Sequence, residues 1–438
     1  MQRSNYTEAK TRTKKKEIKE NKMKKFITKI ISSALAVVML LSATACGVNI
    51  NAIKLSSGYT GNVSRATVVS QNQKSSVIDF SAEFFSKFSQ TQDGNVLVSP
   101  VSLLYCLALL ANGADGNTLK QIEEAVGMEL DDLNRFVAAF SEALYTGDGC
   151  DVSLANSVWI KNDPALVVEE DFLQANADWL DADVFASDFG EETLKDINSW
   201  VSDKTDGMIN NVLESIDPDT LMYLINTLLF DSEWETKYKS SQIQDGVFTN
   251  YDSSTTNVNM MSSKESLYYS YGGAQGFAKK YKGGAYSFVA ILPDENVDIY
   301  DFAANMDSDF FNNYLNSGKY GEVYAKIPEF KFESELIMLN EILASMGMED
   351  MFIQSKANFR KMGHYGDLEL MLDFISQKTV IDVSRNGTKA AAVTIGGIKA
   401  TSIPRDEVHY VYLDRPFVYA IIDTNTNIPL FMGITASL

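Results

Sequence analysis

The sequence predicts one large α+β domain, because helical patterns come first along the chain and strand patterns come later. Phe80, Phe84 and Phe88 recur at helical spacing. Late runs such as Phe417-Val-Tyr-Ala-Ile-Ile422 are short and rich in β-branched and aromatic residues, which is typical of strands. The chain has 438 residues, 45% of them apolar, so it can bury a large core. Helices followed by strands favour the α+β class.

Local signals predict where two of the helices begin. Ser99-Pro100 has the residue types of a helix cap followed by a first-turn proline, and Gly113 is placed to end that helix. Thr118 and Gln121 have the spacing of a capping box for the next helix. We therefore expect two consecutive helices after residue 99.

The first 45 residues predict a signal peptide rather than part of the fold. A basic stretch precedes a short apolar run, Ile30 to Leu41, and small residues follow up to Cys46. This ending resembles a bacterial lipoprotein box, which implies lipidation of Cys46 and a secreted or cell-surface location. Translation could begin at Met1 or at Met23. Residues 46–75 are polar and lack periodicity, so we expect a flexible tether before a domain at residues 76–438.

Charge and composition exclude several classes of function. The net charge is −20, so nucleic acid is not an expected partner. The three cysteines, of which Cys106 lies in an apolar helical run, form no disulfide framework or zinc spacing. Only His364 and His409 are available for histidine chemistry, so a histidine-rich metal site is not expected. No cofactor is implied.

No motif identifies an enzyme. The sequence lacks the G-x-S-x-G, H-E-x-x-H, phosphate-loop and dinucleotide-binding patterns. Paired acids such as Glu123-Glu124 could in principle serve a hydrolase, but adjacent acids are typical of a solvated face. We therefore expect a protein that is not an enzyme.

One segment near the C-terminus carries a specific resemblance. Gly387-Thr-Lys-Ala-Ala-Ala-Val-Thr394 resembles the hinge of inhibitory serpins, in which glycine and threonine precede a run of alanines. Three further stretches resemble serpins in the same order: Asn95-Val-Leu-Val-Ser-Pro-Val-Ser102, Ile197-Asn-Ser-Trp-Val201 and Asn226-Thr-Leu-Leu-Phe230. The chain is identified as a member of that family over nearly all of residues 76–438.

The resemblance implies a fold and a mechanism. The fold would contain three β-sheets, eight to nine helices and an exposed reactive-centre loop. A protease would cleave the loop, and the loop would then insert into the main sheet as a new strand. The implied hinge residues are Gly387, Thr388, Lys389, Ala390, Ala391, Ala392 and Thr394. Counting along the usual loop length places the reactive bond between Thr401 and Ser402, with Lys399 and Arg405 as alternatives.

The resemblance also implies residues that control sheet opening, namely Ser99, Ser102, Asn198, Trp234 and Gln377. Three positions depart from the family pattern: Arg385 and Lys389 replace acidic residues, and Gln377 replaces a histidine. The implied function is irreversible inhibition of serine proteases with elastase-like or subtilisin-like specificity, through a covalent acyl complex. The implied protein is a monomer that meets the membrane only through its lipid. The alternative is a non-inhibitory serpin that acts as a binding or structural protein.

Overall fold

The computed structural model describes residues 50–65, 68–147, 149–217, 219–388 and 408–438. It confirms the α+β fold: nine α-helices and two large sheets occur among these residues. The helices are α1 Gln71–Ser89, α2 Pro100–Gly113, α3 Gly116–Val126, α4 Leu130–Ala143, α5 Glu170–Trp179, α6 Glu191–Lys204, α7 Ile299–Ala304, α8 Ser308–Asn316 and α9 Asn340–Ser345.

The strands are β1 Ile53–Lys54, β2 Val96–Val98, β3 Cys150–Lys161, β4 Leu166–Val168, β5 Asp183–Ser187, β6 Met222–Glu233, β7 Ile243–Thr249, β8 Thr255–Tyr271, β9 Ala274–Lys280, β10 Tyr286–Pro293, β11 Lys319–Pro328, β12 Phe330–Glu333, β13 Ile337–Met338, β14 Gly363–Tyr365, β15 Leu368–Glu369, β16 Ser376–Gln377, β17 Val380–Ser384, β18 Gly387–Thr388, β19 Val408–Tyr412, β20 Phe417–Asp423 and β21 Pro429–Thr435. Most of them are paired antiparallel.

The first two helices begin where local chemistry favours it. Ser70 and Gln73 form a reciprocal capping box at the start of α1. Ser99 caps α2 by accepting from the backbone N–H of Ser102, and Pro100 occupies the first turn. Every residue of α2 is buried, so this helix lies in the centre of the domain.

The predicted capping box of α3 is wrong. The cap residue of that helix is Asp115, three residues before Thr118. The hydroxyl of Thr118 accepts a hydrogen bond from the backbone N–H of Asn358. The side chain of Gln121 accepts one from the backbone N–H of Asp350. Both side chains therefore hold a distant segment of the chain rather than their own helix end.

The central sheet has seven strands in the order β1-β5-β3-β6-β18-β17-β12. Strands β3 and β6 are its longest antiparallel pair, with partners from Cys150 with Ser232 to Ile160 with Met222. One face of this sheet packs against the main core around α2. The other face packs against α6 through a second apolar cluster that includes Trp159, Tyr223 and Trp200.

The second large sheet has nine strands. Strand β8 pairs with β7 and β11 over one part of its length and with β9 near its end. Because β8 is 17 residues long, it can pair with all three of these strands. Strand β19 lies at one edge of this sheet, where it pairs in parallel with β11. Two small sheets, β13-β16 and β15-β14-β4, complete the strands of the described residues.

The predicted tether is corrected over residues 50–65, which pack against the domain. Strand β1 adds to the edge of the central sheet, with Lys54 opposite Phe185. The backbone N–H groups of Asn51 and Ala52 both donate to Asp196 at 2.9 Å. These contacts join residues distant in sequence, so polar composition alone could not indicate them. Residues 1–45, including the predicted signal peptide, and Cys46 lie outside the described residues.

Two observations concern the described part of the chain only. None of its helices is both long enough and apolar enough to cross a membrane. None of its clusters of histidine, cysteine, aspartate or glutamate could hold a metal ion. Cys106 and Cys150 are both buried free thiols, and burial raises the pKa of Cys106 to about 12.

Candidate functional site

The first two hinge residues already form a strand of the central sheet. Strand β18 lies between β6 and β17, with Thr388 opposite both Ser232 and Val383. Thr388 is only 2% exposed. The resemblance assigns the hinge to the exposed loop, and this is corrected for Gly387 and Thr388, which are paired within the sheet.

Gly387 allows the backbones to approach closely. A Cβ atom at this position would lie 2.1 Å from the carbonyl oxygen of Ser232 and 2.7 Å from the Cα of Glu233. Both contacts are with the backbone of β6, which cannot rotate away as a side chain can. Glycine is therefore required here by space, and the hinge could not enter at this register with a larger residue.

Thr388 is held by an aromatic stack beneath the sheet. Its hydroxyl lies 2.6 Å from that of Tyr281, and both groups are buried. The ring of Tyr281 stacks on Trp234, with centroids 4.5 Å apart and planes at 13°. Burial raises the pKa of Tyr281 well above its usual range, so its hydroxyl stays protonated.

Trp234 fixes the turn that leads into the hinge. Its indole N–H donates to the backbone carbonyl of Ser384 at 2.8 Å. Its backbone N–H donates to the carbonyl of Asn386 at 2.9 Å. The side chain is 1% exposed. The ammonium group of Lys279 lies 5.4 Å from the ring and pairs with Glu265 at 2.9 Å. Trp234, predicted from the resemblance, is thus in direct contact with the hinge turn.

Arg385, one of the departures from the family pattern, has an acidic partner. Its guanidinium lies 3.3 Å from the carboxylate of Glu329, and its backbone N–H donates to the same oxygen at 3.1 Å. Glu329 stands between β11 and β12, beside the hinge turn. The basic residue at this position is therefore matched by a carboxylate, and the turn remains paired.

A polar cluster lies under the middle of the central sheet. The hydroxyl of Ser102 hydrogen bonds to the side chain of Asn226, which also donates to Asn156 at 2.6 Å. The hydroxyl of Ser99 donates to the carbonyl of Leu430 at 2.8 Å. The side chain of Gln377 pairs with both the N–H and the carbonyl of Ser99, each at 2.9 Å. The cluster thus connects the start of α2 to β6 through Asn226 and to β16, just before β17 in the chain, through Gln377.

Asn198 does not belong to this cluster. It lies on α6, on the opposite face of the central sheet, and binds the backbone of Val212 and Leu213. The cluster residue that the sequence argument missed is Asn226. Strand alternation was the available signal, because Leu224, Asn226 and Leu228 share the face that packs toward the main core.

Strands β6 and β17 lie on either side of β18 and do not pair with each other. Among the described residues, β6 and β17 are joined only through β18. A small cavity of about 20 Å³ lies beside the polar cluster, lined by Ser102, Asn226 and Thr379 among others. A space of this size holds about one water molecule. The remaining predicted loop residues lie outside the described residues: Lys389, Ala390, Ala391, Ala392, Thr394, Lys399, Thr401, Ser402 and Arg405.

Fold and hinge together define an α+β protein with a peptide segment entering an opening in its central sheet. The family described as Serpin (serine protease inhibitor) matches residues 75–437. Iripin-3 of Ixodes ricinus is 30% identical over 77% of this chain and 88% of its own length. Leukocyte elastase inhibitor A of Mus musculus is 28% identical over 82% of this chain and 97% of its own length.

The same similarity is found among solved structures. The thermophilic serpin tengpin in the native state is 39% identical with a TM-score of 0.82, covering 88% of this chain and all of the tengpin chain. The chain therefore belongs to the serpin family, which confirms the resemblance found in its sequence.

Proposed function

We propose that this protein is an irreversible, suicide-substrate inhibitor of serine proteases and not an enzyme. The observation that carries the proposal is β18: two hinge residues are paired between β6 and β17, and Lys389-Ala-Ala-Ala392 follows them. A segment that has begun to insert can continue in the same register. The inhibitory relatives, among them the leukocyte elastase inhibitor, support the same function.

The register indicates which side chains would have to fit. Thr388 faces the main core, so Ala390, Ala392 and Thr394 would face it too after insertion. All are small, which suits a strand that enters a packed sheet. Extending the pairing by six residues would place Thr394 between Asn226 and Gln377, in the polar cluster. The hydroxyl of Thr394 suits that position because it can donate and accept hydrogen bonds.

Insertion would supply the energy for trapping. About thirteen newly paired residues, Lys389 to Thr401, each contributing about 0.5–1.5 kcal/mol net, would yield about 7–20 kcal/mol. This matches the stability of about 5–15 kcal/mol that holds a protease domain together. If the protease is still joined to the loop as an acyl-enzyme, insertion would carry it along and distort its active site. The uninserted protein would then be metastable.

The proposed reactive bond is Thr401–Ser402. A small β-branched residue before the bond suits elastase-like or subtilisin-like pockets, whereas trypsin-like proteases would require Lys399 or Arg405. The test is to mix purified protein from residue 47 onward with elastase, subtilisin and trypsin. We expect a complex that survives denaturing gels and a released peptide that begins at Ser402. Cleavage without a complex across the panel would instead favour a non-inhibitory binding or structural protein.

We also propose that the mature protein is secreted and lipid-anchored through Cys46, on the sequence pattern alone. Labelled palmitate should be incorporated by the natural protein in a bacterial host and not by a Cys46→Ser variant. Equal labelling of the two proteins would contradict the anchor.

A further inference from the structure

One face of the sheet edge formed by β8, β11 and β19 carries a group of tyrosine and lysine side chains that are exposed or half-buried. We name this surface the tyrosine face and define it by Lys264, Tyr324, Lys326, Tyr410 and Tyr412. Tyr324 pairs with Tyr410 across β11 and β19 and with Lys264 across β11 and β8, so the three side chains share one face. Tyr410 is 58% exposed and Tyr324 40%.

The side chains of the tyrosine face support one another. The rings of Tyr324 and Tyr410 are stacked with centroids 5.4 Å apart, and those of Tyr410 and Tyr412 lie at 6.2 Å. The ammonium group of Lys326 lies 4.4 Å from the centre of the Tyr412 ring. The result is a preorganised aromatic surface, which loses little side-chain entropy when a partner covers it.

The charge of this surface favours an anionic partner. Lys264 is paired with Glu322 at 2.6 Å, and a hydrogen bond to the same carboxylate raises the pKa of Tyr324. The groups left to meet a partner are therefore those of Lys326, Tyr410 and Tyr412. Lys326 has no carboxylate partner among the residues that the structure describes. The hydroxyls of Tyr410 and Tyr412 and the ammonium group of Lys326 can donate hydrogen bonds to the carboxylates of a partner. In a chain whose net charge is −20, this is a place where an acidic protein could approach.

The short chain segment between the proposed reactive bond and the tyrosine face favours the target protease as the partner. Strand β19 begins at Val408, seven residues after Thr401. Seven residues span at most about 24 Å. A protease domain of about 200 residues has a radius of gyration of about 16 Å and is therefore about 40 Å across. A protease seated on the Thr401–Ser402 bond is therefore wide enough to reach the start of β19.

We propose that the tyrosine face is a second docking surface for the target protease, and that it contacts acidic residues beside the part of the protease cleft that holds the C-terminal side of the loop. The inference rests on the proposed function. It assigns to β19 and β11 a role in choosing the protease, in addition to the role of the loop sequence. Tyrosine is enriched in protein–protein interfaces, and the rims of such interfaces are polar.

The test measures how fast proteases cut the loop of the intact protein. Tyr410→Ser and Lys326→Glu are compared with two matched controls, Tyr271→Ser and Lys120→Glu. Tyr271 is 41% exposed at the far end of β8, and Lys120 is an exposed residue of α3. We expect kcat/KM for loop cleavage to fall at least fivefold in both tyrosine-face variants, for the protease that cuts the natural protein fastest. The controls should stay within twofold.

Several results would overturn the proposal. Unchanged cleavage rates in both tyrosine-face variants would do so, provided that their melting temperatures match the natural protein. A dimer in light scattering that Tyr410→Ser dissociates would assign the face to a second copy instead. Cleavage without a stable complex would contradict inhibition but still test the face, because the cleavage rate reports docking either way. Absence of cutting by every protease would contradict both proposals.

Discussion

The hydroxyl of Thr388 lies 2.6 Å from the hydroxyl of Tyr281, inside the core and directly below the point where β18 enters the central sheet. This contact joins a hinge residue to the ring that stacks on Trp234. Tyr281→Phe removes it and leaves the buried hydroxyl of Thr388 without that partner. We expect a loss of about 1–3 kcal/mol from the inserted state of the hinge.

The loss should appear in hydrogen exchange. The backbone N–H groups of Gly387 and Thr388 should exchange faster in Tyr281→Phe, while those of β3 should keep their rates. Tyr314→Phe is a matched control, since it removes another buried tyrosine hydroxyl that binds the carbonyl of Ala290, away from the hinge. Equal exchange at Thr388 in all three proteins would show that the contact does not hold the hinge.

Gly387→Ala should expel the hinge from the sheet, because its new Cβ would collide with the backbone of Ser232. We expect the fluorescence of Trp234 to change and limited proteolysis after residue 384 to become faster. Gly94→Ala is the control, since nothing lies within 4 Å of a Cβ at that position. If Gly387→Ala leaves both fluorescence and proteolysis unchanged, the hinge does not depend on this close approach.

Hinge substitutions should act according to the face on which they would lie. In the register of β18, Ala392 would face the main core and Ala391 the opposite side. Ala392→Arg would bury an unpaired charge, which is costly, so cleavage should continue while the protease complex disappears. Ala391→Arg should keep a measurable fraction of complex on denaturing gels. Equal loss in both variants would contradict the register.

Lys389 offers an electrostatic test of the same register. Extending β18 by one residue would place Lys389 between Asp231 on β6 and Asp382 on β17, on the side facing away from the main core. Lys389→Glu would set three carboxylates side by side, so we expect more cleaved, uncomplexed inhibitor per protease at low salt. Raising the salt concentration should narrow the difference, since screening weakens repulsion. Lys389→Gln should give an intermediate amount of cleaved, uncomplexed inhibitor per protease. The same amount in all three proteins would argue against insertion at this register.

The polar cluster should control how long the uninserted protein survives. Gln377→Ala removes two hydrogen bonds to the backbone of Ser99, and Asn226→Ala leaves Ser102 and Asn156 without their partner. We expect each change to cost about 1–3 kcal/mol and to speed the loss of inhibitory activity on warming. Asn198→Ala should lower the melting temperature without this kinetic effect, because it holds residues 212 and 213 rather than the opening strands. If the inhibitory activity of Gln377→Ala has a half-life on warming equal to or longer than that of the natural protein, the polar cluster does not control this loss.

Several features of the site could be predicted because they are local. The helix cap at Ser99-Pro100 depends on neighbouring atoms, and the structure has it where the sequence predicts it. The phenylalanines of α1 reveal their buried face by spacing alone. The amino-acid sequence of the hinge segment is specific enough to indicate the family, and the match over residues 75–437 confirms that family.

Other features depend on which distant segments meet. Thr118 and Gln121 have capping-box spacing, yet their side chains bind residues more than two hundred positions away. Asn198 and Asn226 are both asparagines near apolar residues, and only the strand pairing assigns the second to the polar cluster.

The sequence by itself determined the α+β class, the family, and the small side chains of the hinge, because each follows from local spacing or composition. The tertiary structure decided that Gly387 and Thr388 lie inside the sheet, that Arg385 pairs with Glu329, and that residues 50–65 pack on the domain. The physical reason is the same in each case. Close backbone approach, ion pairing and strand addition at an edge depend on the positions of atoms far apart in the chain, which no local pattern encodes.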